Sequence, residues 1–338
     1  MSTTPLPRRA LGSTGRSVSA VGLGTWQLGA DWGDVSTTDA RAVLEAAYES
    51  GVTFFDTADV YGDGRSEQII GEFLAARATD AASAITVATK MGRRMAQIPA
   101  NYVLDNFRTW IDRSRRNLGQ DTLDLVQLHC PPSAVYSTQA VYDALDTLVA
   151  DGTIANYGVS VETCAEALEA MKHSGVATIQ IILNAFRRKP LDAVLPQAQA
   201  AGVGIIARVP LASGLLSGRY GPTTTFADDD HRNYNRQGEA FDVGETFSGV
   251  DFDTGITAAQ EFAALAADLP GSPTPAQVAL AWVCQQPGVT TVIPGARSPE
   301  QTRANAAAGL LAPLPTEFLA AVEAIYDHHF RAAIHPRW

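Results

Sequence analysis

The stretch FFDTADVYGDGRSE, residues 54–67, closes an apolar run on a carboxylate, Asp56, and then sets Tyr61 among glycines. Apolar residues that give way to Asp-Thr-Ala mark a chain leaving a buried sheet. Helical periodicity resumes directly afterwards in SEQIIGEFLAARA (66–78), so the stretch reads as strand, turn and helix. In that reading Asp56 and Tyr61 stand at the carboxyl end of a strand, where ligand sites of α/β proteins collect.

The same unit recurs along the chain. Short β-branched, apolar runs lie at 19–25, 52–57, 84–90, 123–129, 154–160, 178–184, 203–210 and 289–295. Helical stretches separate them. TTDARAVLEAAYESG (37–51) opens on a Thr/Asp cap and closes on Gly51, and the stretches 102–119, 138–152, 162–175 and 190–202 also run into glycine. The runs are near-continuously apolar, as a parallel sheet covered on its outer face requires. Eight of them, each followed by a helix, predict an α/β fold of the closed (β/α)8 TIM-barrel type, with about 250 core residues plus insertions. The expected domain is a single barrel over 1–338. An open doubly wound sheet is the competing fold. It would want a GxGxxG turn after the first strand, and GLGTWQLG (22–29) lacks that spacing and no helix follows it at once.

Residues 221–256 break the rhythm. They are polar and Gly-rich, too polar to build a core of their own, and they follow the seventh run. They read as a long loop insertion at the C-terminal face, a lid with Arg232, Asn233 or Tyr234 near the substrate.

Composition narrows the function. Hydrophobic residues are 46% and charged residues 18%, which suits a soluble globular protein, and no apolar run approaches the ~18 residues of a membrane span. The first residues lack a secretory h-region, so the expected location is cytoplasmic. Cys130, Cys164 and Cys284 form no CxxC pair, and neither a disulfide framework nor a zinc site is expected. A net charge of −11 argues against a nucleic-acid partner, so any anionic ligand must be held by local basic residues. DDDHRNYN (228–235) is the one plausible metal-ligand cluster; it reads as a solvated excursion, and no metal is expected. The chain is expected to act as a monomer or a homo-oligomer.

Polar, titratable residues close successive strands: Asp56 with Tyr61 just beyond, Lys90, and His129. Singly, such residues are common as caps and rim charges. A barrel brings these ends to one mouth, and together they make chemical sense. A phenol with a pKa near ~10 is a poor proton donor at neutral pH, and a lysine at ~4 Å contributes about 4 kcal/mol toward the phenolate at an effective dielectric of ~20. Asp56 keeps Lys90 charged and in place, and His129 can orient a carbonyl. Tyr61 is then the proton donor to a carbonyl that accepts a hydride.

This set resembles the aldo-keto reductase superfamily. FFDTADVYGDGRSEQIIG (54–71) is similar to its main signature over its whole length, and the similarity runs from LGSTGRSVSAVGLGTW (11–26) to VIPGARSPEQTRANAAA (292–308). The resemblance implies a barrel with an N-terminal β-hairpin and extra helices, and NADPH-dependent interconversion of a carbonyl (aldehyde, ketone or sugar) and its alcohol. It makes Tyr61 the general acid/base, Lys90 and Asp56 its supporting pair, and His129 the orienter. It implies an extended NADP cofactor met by Gly24, Thr25 and Trp26. Ser160 and Gln180 would hold the carboxamide, and Arg208, Pro210, Leu211, Ser213, Leu215, Ser217 and Arg219 would lie along the ring and pyrophosphate. Gly295, Arg297, Gln301 and Asn305 would serve the adenosine end, where Arg297 favours the 2′-phosphate of NADP.

The chain departs from the family pattern at Val161 (usually Asn), Ala304 (usually acidic) and Arg208, which stands where many members place an aromatic. With Val161 there, one carboxamide hydrogen bond is either lost or supplied by another group such as Asn184. Trp26, Trp32 and Trp110 are candidates for the substrate wall, and they do not choose a substrate. The alternative function is a cofactor-sensing regulatory subunit of the same fold with little turnover, as in the potassium-channel β subunits. A metal-dependent barrel hydrolase is the third reading.

Overall fold

Two short strands, β1 (Arg8–Ala10) and β2 (Ser17–Ser19), pair antiparallel before the main sheet begins. Eight parallel strands follow: β3 (Leu23–Gly24), β4 (Phe54–Asp56), β5 (Thr86–Met91), β6 (Leu125–His129), β7 (Tyr157–Ser160), β8 (Val176–Ile182), β9 (Gly204–Arg208) and β10 (Val289–Val292). They lie in chain order, and parallel bridges Val21–Val292 and Gly24–Gly295 join the last strand to the first. The molecule is thus a nearly closed (β/α)8 barrel. This computed structural model describes residues 5–29 and 35–338. Trp32, named above as a substrate-wall candidate, lies outside the described residues.

The first apolar run, 19–25, divides between two jobs. Ser19 belongs to the hairpin and Leu23 to the barrel wall. The hairpin closes the floor: Leu11 and Val18 are fully buried with Phe54, Ala88, Leu125 and Ile206 inside the barrel. Full burial of side chains this size contributes roughly 1.5–3 kcal/mol each. Gly12 permits the fit, because a Cβ there would stand 2.0 Å from the Ala177 carbonyl oxygen. With the floor plugged by apolar side chains, polar strand residues gather at the opposite mouth.

The helices lie close to their expected places. That over Thr37–Glu49 is capped by Ser36, one residue ahead of the Thr/Asp pair, and those over Leu104–Leu118 and Val194–Ala201 end on left-handed Gly119 and Gly202. Among the described residues no helix is long and apolar enough to cross a membrane.

The segment 221–256 departs from expectation. It carries a short helix, His231–Tyr234, two single turns and the start of the helix Phe252–Ala267. It also has a core. Phe226 and Phe252 pack on Phe247 with ring centroids 5.8 and 5.0 Å away. Asn235 and Ser248 are fully buried. Asn235 donates to Thr246 Oγ1 at 3.1 Å and accepts from the Ala240 and Phe241 amides. Buried polar groups that are hydrogen-bonded within the segment cost little, and composition does not reveal such pairing.

Candidate active site

The turn after β4 explains the glycines around Tyr61. Gly62 and Gly64 take φ of 58° and 92°, and Asp63 is left-handed too, at 51°. A Cβ on Gly62 would come 2.2 Å from the Gly29 carbonyl oxygen, so only glycine lets this turn lie flush on the turn Trp26–Gly29. The close fit sets the Tyr61 ring on Trp26, with centroids 6.2 Å apart and planes at 26°.

Strand register brings the remaining groups together. Asp56 pairs with Ala88, two residues short of Lys90, so both side chains share one face. Lys90 Nζ donates to Asp56 Oδ1, to the Thr57 carbonyl at 2.9 Å and to Tyr61 OH at 3.3 Å. Asp56 Oδ2 accepts from Gln127 at 3.1 Å and Gln180 at 2.7 Å. The His129 ring meets Tyr61 edge-on with centroids 5.9 Å apart. The predicted tetrad therefore assembles.

Its electrostatics differ from expectation in one respect. Enclosure pushes the Tyr61 pKa above the ordinary phenol value, Lys90 pulls it back, and Asp56 adds to the rise. Burial outweighs the lysine, so the phenol stays protonated. Burial also works against the Lys90 ammonium, but Asp56 and Tyr61 together hold its pKa up. His129 is driven well below its usual value by burial and by Arg93, Lys90 and Arg208, and is a neutral imidazole.

Asp59, in the same turn, is fully buried, and neither carboxylate oxygen has a side-chain or backbone donor at hydrogen-bond geometry among the described residues. Burial, reinforced by Glu67, lifts its pKa from 3.8 to about 7 against the pull of Arg94 and Lys90. Between those values the folded state binds more protons than the unfolded chain, so this group's contribution to stability falls as pH rises from about 4 to about 7. The loss is on the order of 2–4 kcal/mol. Asp59→Asn should remove it, raising stability relative to wild type near pH ~8 but not near ~4 in urea unfolding. A variant less stable than wild type at both ends would show that the carboxylate has a use.

Above the tetrad opens a cleft of about 400 Å³. Its lining includes Gly24, Thr25, Trp26, Gln180, Arg208, Pro210, Leu211, Ser213, Arg219, Gly295, Arg297 and Gln301, from the predicted cofactor set. Asp56 and Tyr61 form its floor, and Gln27, His231, Arg232 and Glu245 join the wall.

Other expected residues sit elsewhere. Ser160, Leu215, Ser217 and Asn305 do not line the cleft. Ser160 Oγ faces Cys130 Sγ at 3.3 Å, Leu215 is buried beneath the cleft, and Asn305 donates to the Gly295 carbonyl at 3.2 Å. The hydroxyls of Ser213 and Ser217 donate to the Glu245 and Gly214 carbonyls, so those groups brace the loop. Asn184 is no substitute donor. It is buried, donates to Val209 O and Ser248 Oγ, and accepts from the Phe186 amide. Trp110 packs into the core against Phe107 at 5.8 Å. Asn233 and Tyr234 are exposed, and Arg232 alone of the expected trio lines the cleft. Asp230, from the acidic run, accepts from the Arg232 amide and grips its guanidinium.

Sequence reasoning missed Gln127, Glu162 and Glu245. Arg208 donates to Glu162 at 2.9 Å and lies 3.2 Å from Glu245, and Arg93 reaches the same two carboxylates at 3.8 and 3.5 Å. Gln127 lies within the apolar run 123–129. Glu245 lies in a Gly-rich segment with no periodicity to direct it.

The family model for the aldo/keto reductase family matches residues 20–327. This chain belongs to that family. An uncharacterized oxidoreductase of Mycobacterium tuberculosis is 34% identical over 297 residues, covering 86% of this chain and 84% of its own. Among solved structures, a glycerol dehydrogenase of Gluconobacter oxydans is 28% identical, with a TM-score of 0.79 and 98% of each chain covered. An aldo-keto reductase of Klebsiella pneumoniae, solved in complex with NADPH, is 25% identical with a TM-score of 0.69, covering 95% of this chain and 96% of its own. As an aldo-keto reductase the chain is an oxidoreductase, and its tetrad stands at the carboxyl mouth of the barrel.

Proposed function

We propose that the chain interconverts a small carbonyl (aldehyde, ketone or sugar) and its alcohol, with NADP(H) bound in the cleft and Tyr61 as proton donor. The observation that carries this reading is the hydrogen-bonded Asp56–Lys90–Tyr61 array at the floor of the cleft. The NADPH-bound relative of the same fold supports the cofactor.

The lining suits a dinucleotide phosphate. Arg208 Nε is a buried donor without a partner among the described residues, and Arg219 makes no ion pair among them. Gly214 has φ of 99°, and a Cβ there would strike Tyr220 OH at 2.3 Å, leaving bare backbone on the cleft wall. Arg297 stands just before the helix Pro299–Ala308, whose N-terminus favours an anion.

The chemistry such a nucleotide supplies when bound is a hydride to the carbonyl carbon. The chain's own groups supply the proton and the orientation. Tyr61 OH is kept protonated by its enclosure and donates to the carbonyl oxygen. Lys90, held charged by Asp56, stabilises the phenolate left behind. Neutral His129 can offer an N–H to the same oxygen without adding charge. In alcohol oxidation the phenolate must accept the proton, and there Lys90 matters most.

Arg297→Ala should weaken NADPH about 10- to 150-fold, the scale of one charge-assisted hydrogen bond, and NADH far less. Fluorescence titration with both cofactors measures it. Equal weakening would place Arg297 elsewhere than at the 2′-phosphate. Arg303 would be a poor replacement, since it pairs with Glu49 at 3.2 Å.

A further inference from the structure

The tetrad leaves unused a second charged cluster at the same end of the cleft. Arg208 ends β9 and lines the cleft, with its side chain only 9% accessible. Glu162 follows β7, Arg93 follows β5, and Glu245 arrives from the segment 221–256. Each carboxylate faces both arginines at 2.9–3.8 Å. Arg93 also donates to the His129 carbonyl at 3.2 Å, which ties the cluster to the tetrad strand.

Glu245 is held firmly. Its carbonyl accepts from Ser213 Oγ at 3.0 Å, and Ser213 in turn accepts from the Phe247 amide. Asp242, three residues earlier, accepts from the Gly244 amide and from the Trp338 indole at 3.2 Å. The Arg187 guanidinium lies 4.1 Å over the Trp338 ring. These bonds fix where the Glu245 backbone meets the cleft wall.

Burial opposes ionisation of Glu245, but Arg208 and Arg93 outweigh it and hold its pKa at about 2. Glu162 is lifted to about 7 by burial, with Arg208 opposing and Glu245 adding to the rise. Of the two carboxylates Glu245 is the one that lines the cleft, and both arginines hold it ionised.

The consequence follows from the proposed function, on which this inference rests. If the nicotinamide ring lies beside Tyr61 and Gln180, it lies beside Arg208. The oxidised ring is a cation and the reduced ring is neutral, so an uncompensated arginine there would reject the oxidised form selectively. We propose that Glu245, acting through Arg208, sets the preference of the site between oxidised and reduced cofactor, so that NADP⁺ is accepted and alcohol oxidation remains open. Glu245 is a positioning and charge-balancing residue; it gives no proton to the substrate.

The test is a pair of binding constants. Dissociation constants for NADP⁺ and NADPH are measured by calorimetry for wild type, Glu245→Gln, Arg208→Gln and the double variant. Glu245→Gln should weaken NADP⁺ at least about tenfold more than NADPH. Arg208→Gln should move the ratio the other way, and the double variant should return it toward wild type. A merely structural Glu245 would weaken both forms equally. That result, or an unchanged ratio in an enzyme that binds and turns over both cofactors, overturns the inference and leaves the proposed function standing. Wild-type protein that binds neither nucleotide would overturn both.

Discussion

Replacing Tyr61 by Phe is expected to lower turnover by at least about a hundredfold, the loss typical of a missing general acid. The substitution keeps the ring, its contact with Trp26 and its volume, and removes one oxygen. Lys90 keeps its bonds to Asp56 and to the Thr57 carbonyl. Cofactor affinity should therefore stay nearly unchanged, and the defect should be confined to the chemical step. Single-turnover kinetics with pre-bound NADPH separate the two. A variant that turns over at near wild-type rate would remove Tyr61 from the mechanism.

Lys90→Met should damage both stability and catalysis. Asp56 is 2% exposed, and with the ammonium gone it keeps only neutral donors, Gln127 and Gln180. Removing one partner of a buried pair costs about 3–5 kcal/mol because a charge is left uncompensated. Turnover should fall by about a hundredfold or more, and further in alcohol oxidation, where a phenolate is needed, than in reduction. The double variant Asp56→Asn/Lys90→Met should recover much of the stability and none of the turnover, as urea unfolding alongside steady-state rates would record. A single variant as stable and active as wild type would contradict the reading of the pair.

The barrel and the tetrad were legible because both depend on strand ends. Apolar runs that stop on Asp56, Lys90 and His129 mark where the sheet meets the mouth, and parallel register does the rest. The turn at Tyr61 was legible because a backbone with positive φ against Gly29 demands glycine. Side-chain commitments were not. Asn184, Ser213 and Ser217 have the right chemistry for cofactor contacts, yet their hydrogen bonds go to the protein's own loops. The segment 221–256 misled through its composition, since Asn235 and Ser248 are polar in sequence and fully buried in the fold. The upward push on Tyr61 was invisible too, because a pairwise lysine argument carries no measure of enclosure.

The alternative of a cofactor-sensing subunit with little turnover makes transfer to substrate the decisive observation. The most direct measurement incubates the protein with NADPH deuterated at the transferable nicotinamide position and a panel of aldehydes, ketones and sugars, and analyses the products by mass spectrometry. The account predicts an alcohol with one deuterium on the former carbonyl carbon for at least one panel member, formed at least about a hundredfold more slowly by Tyr61→Phe. Tight NADPH binding with no deuterium transferred to any carbonyl, and no oxidation of the matching alcohols with NADP⁺, would contradict it and point to a cofactor-sensing protein.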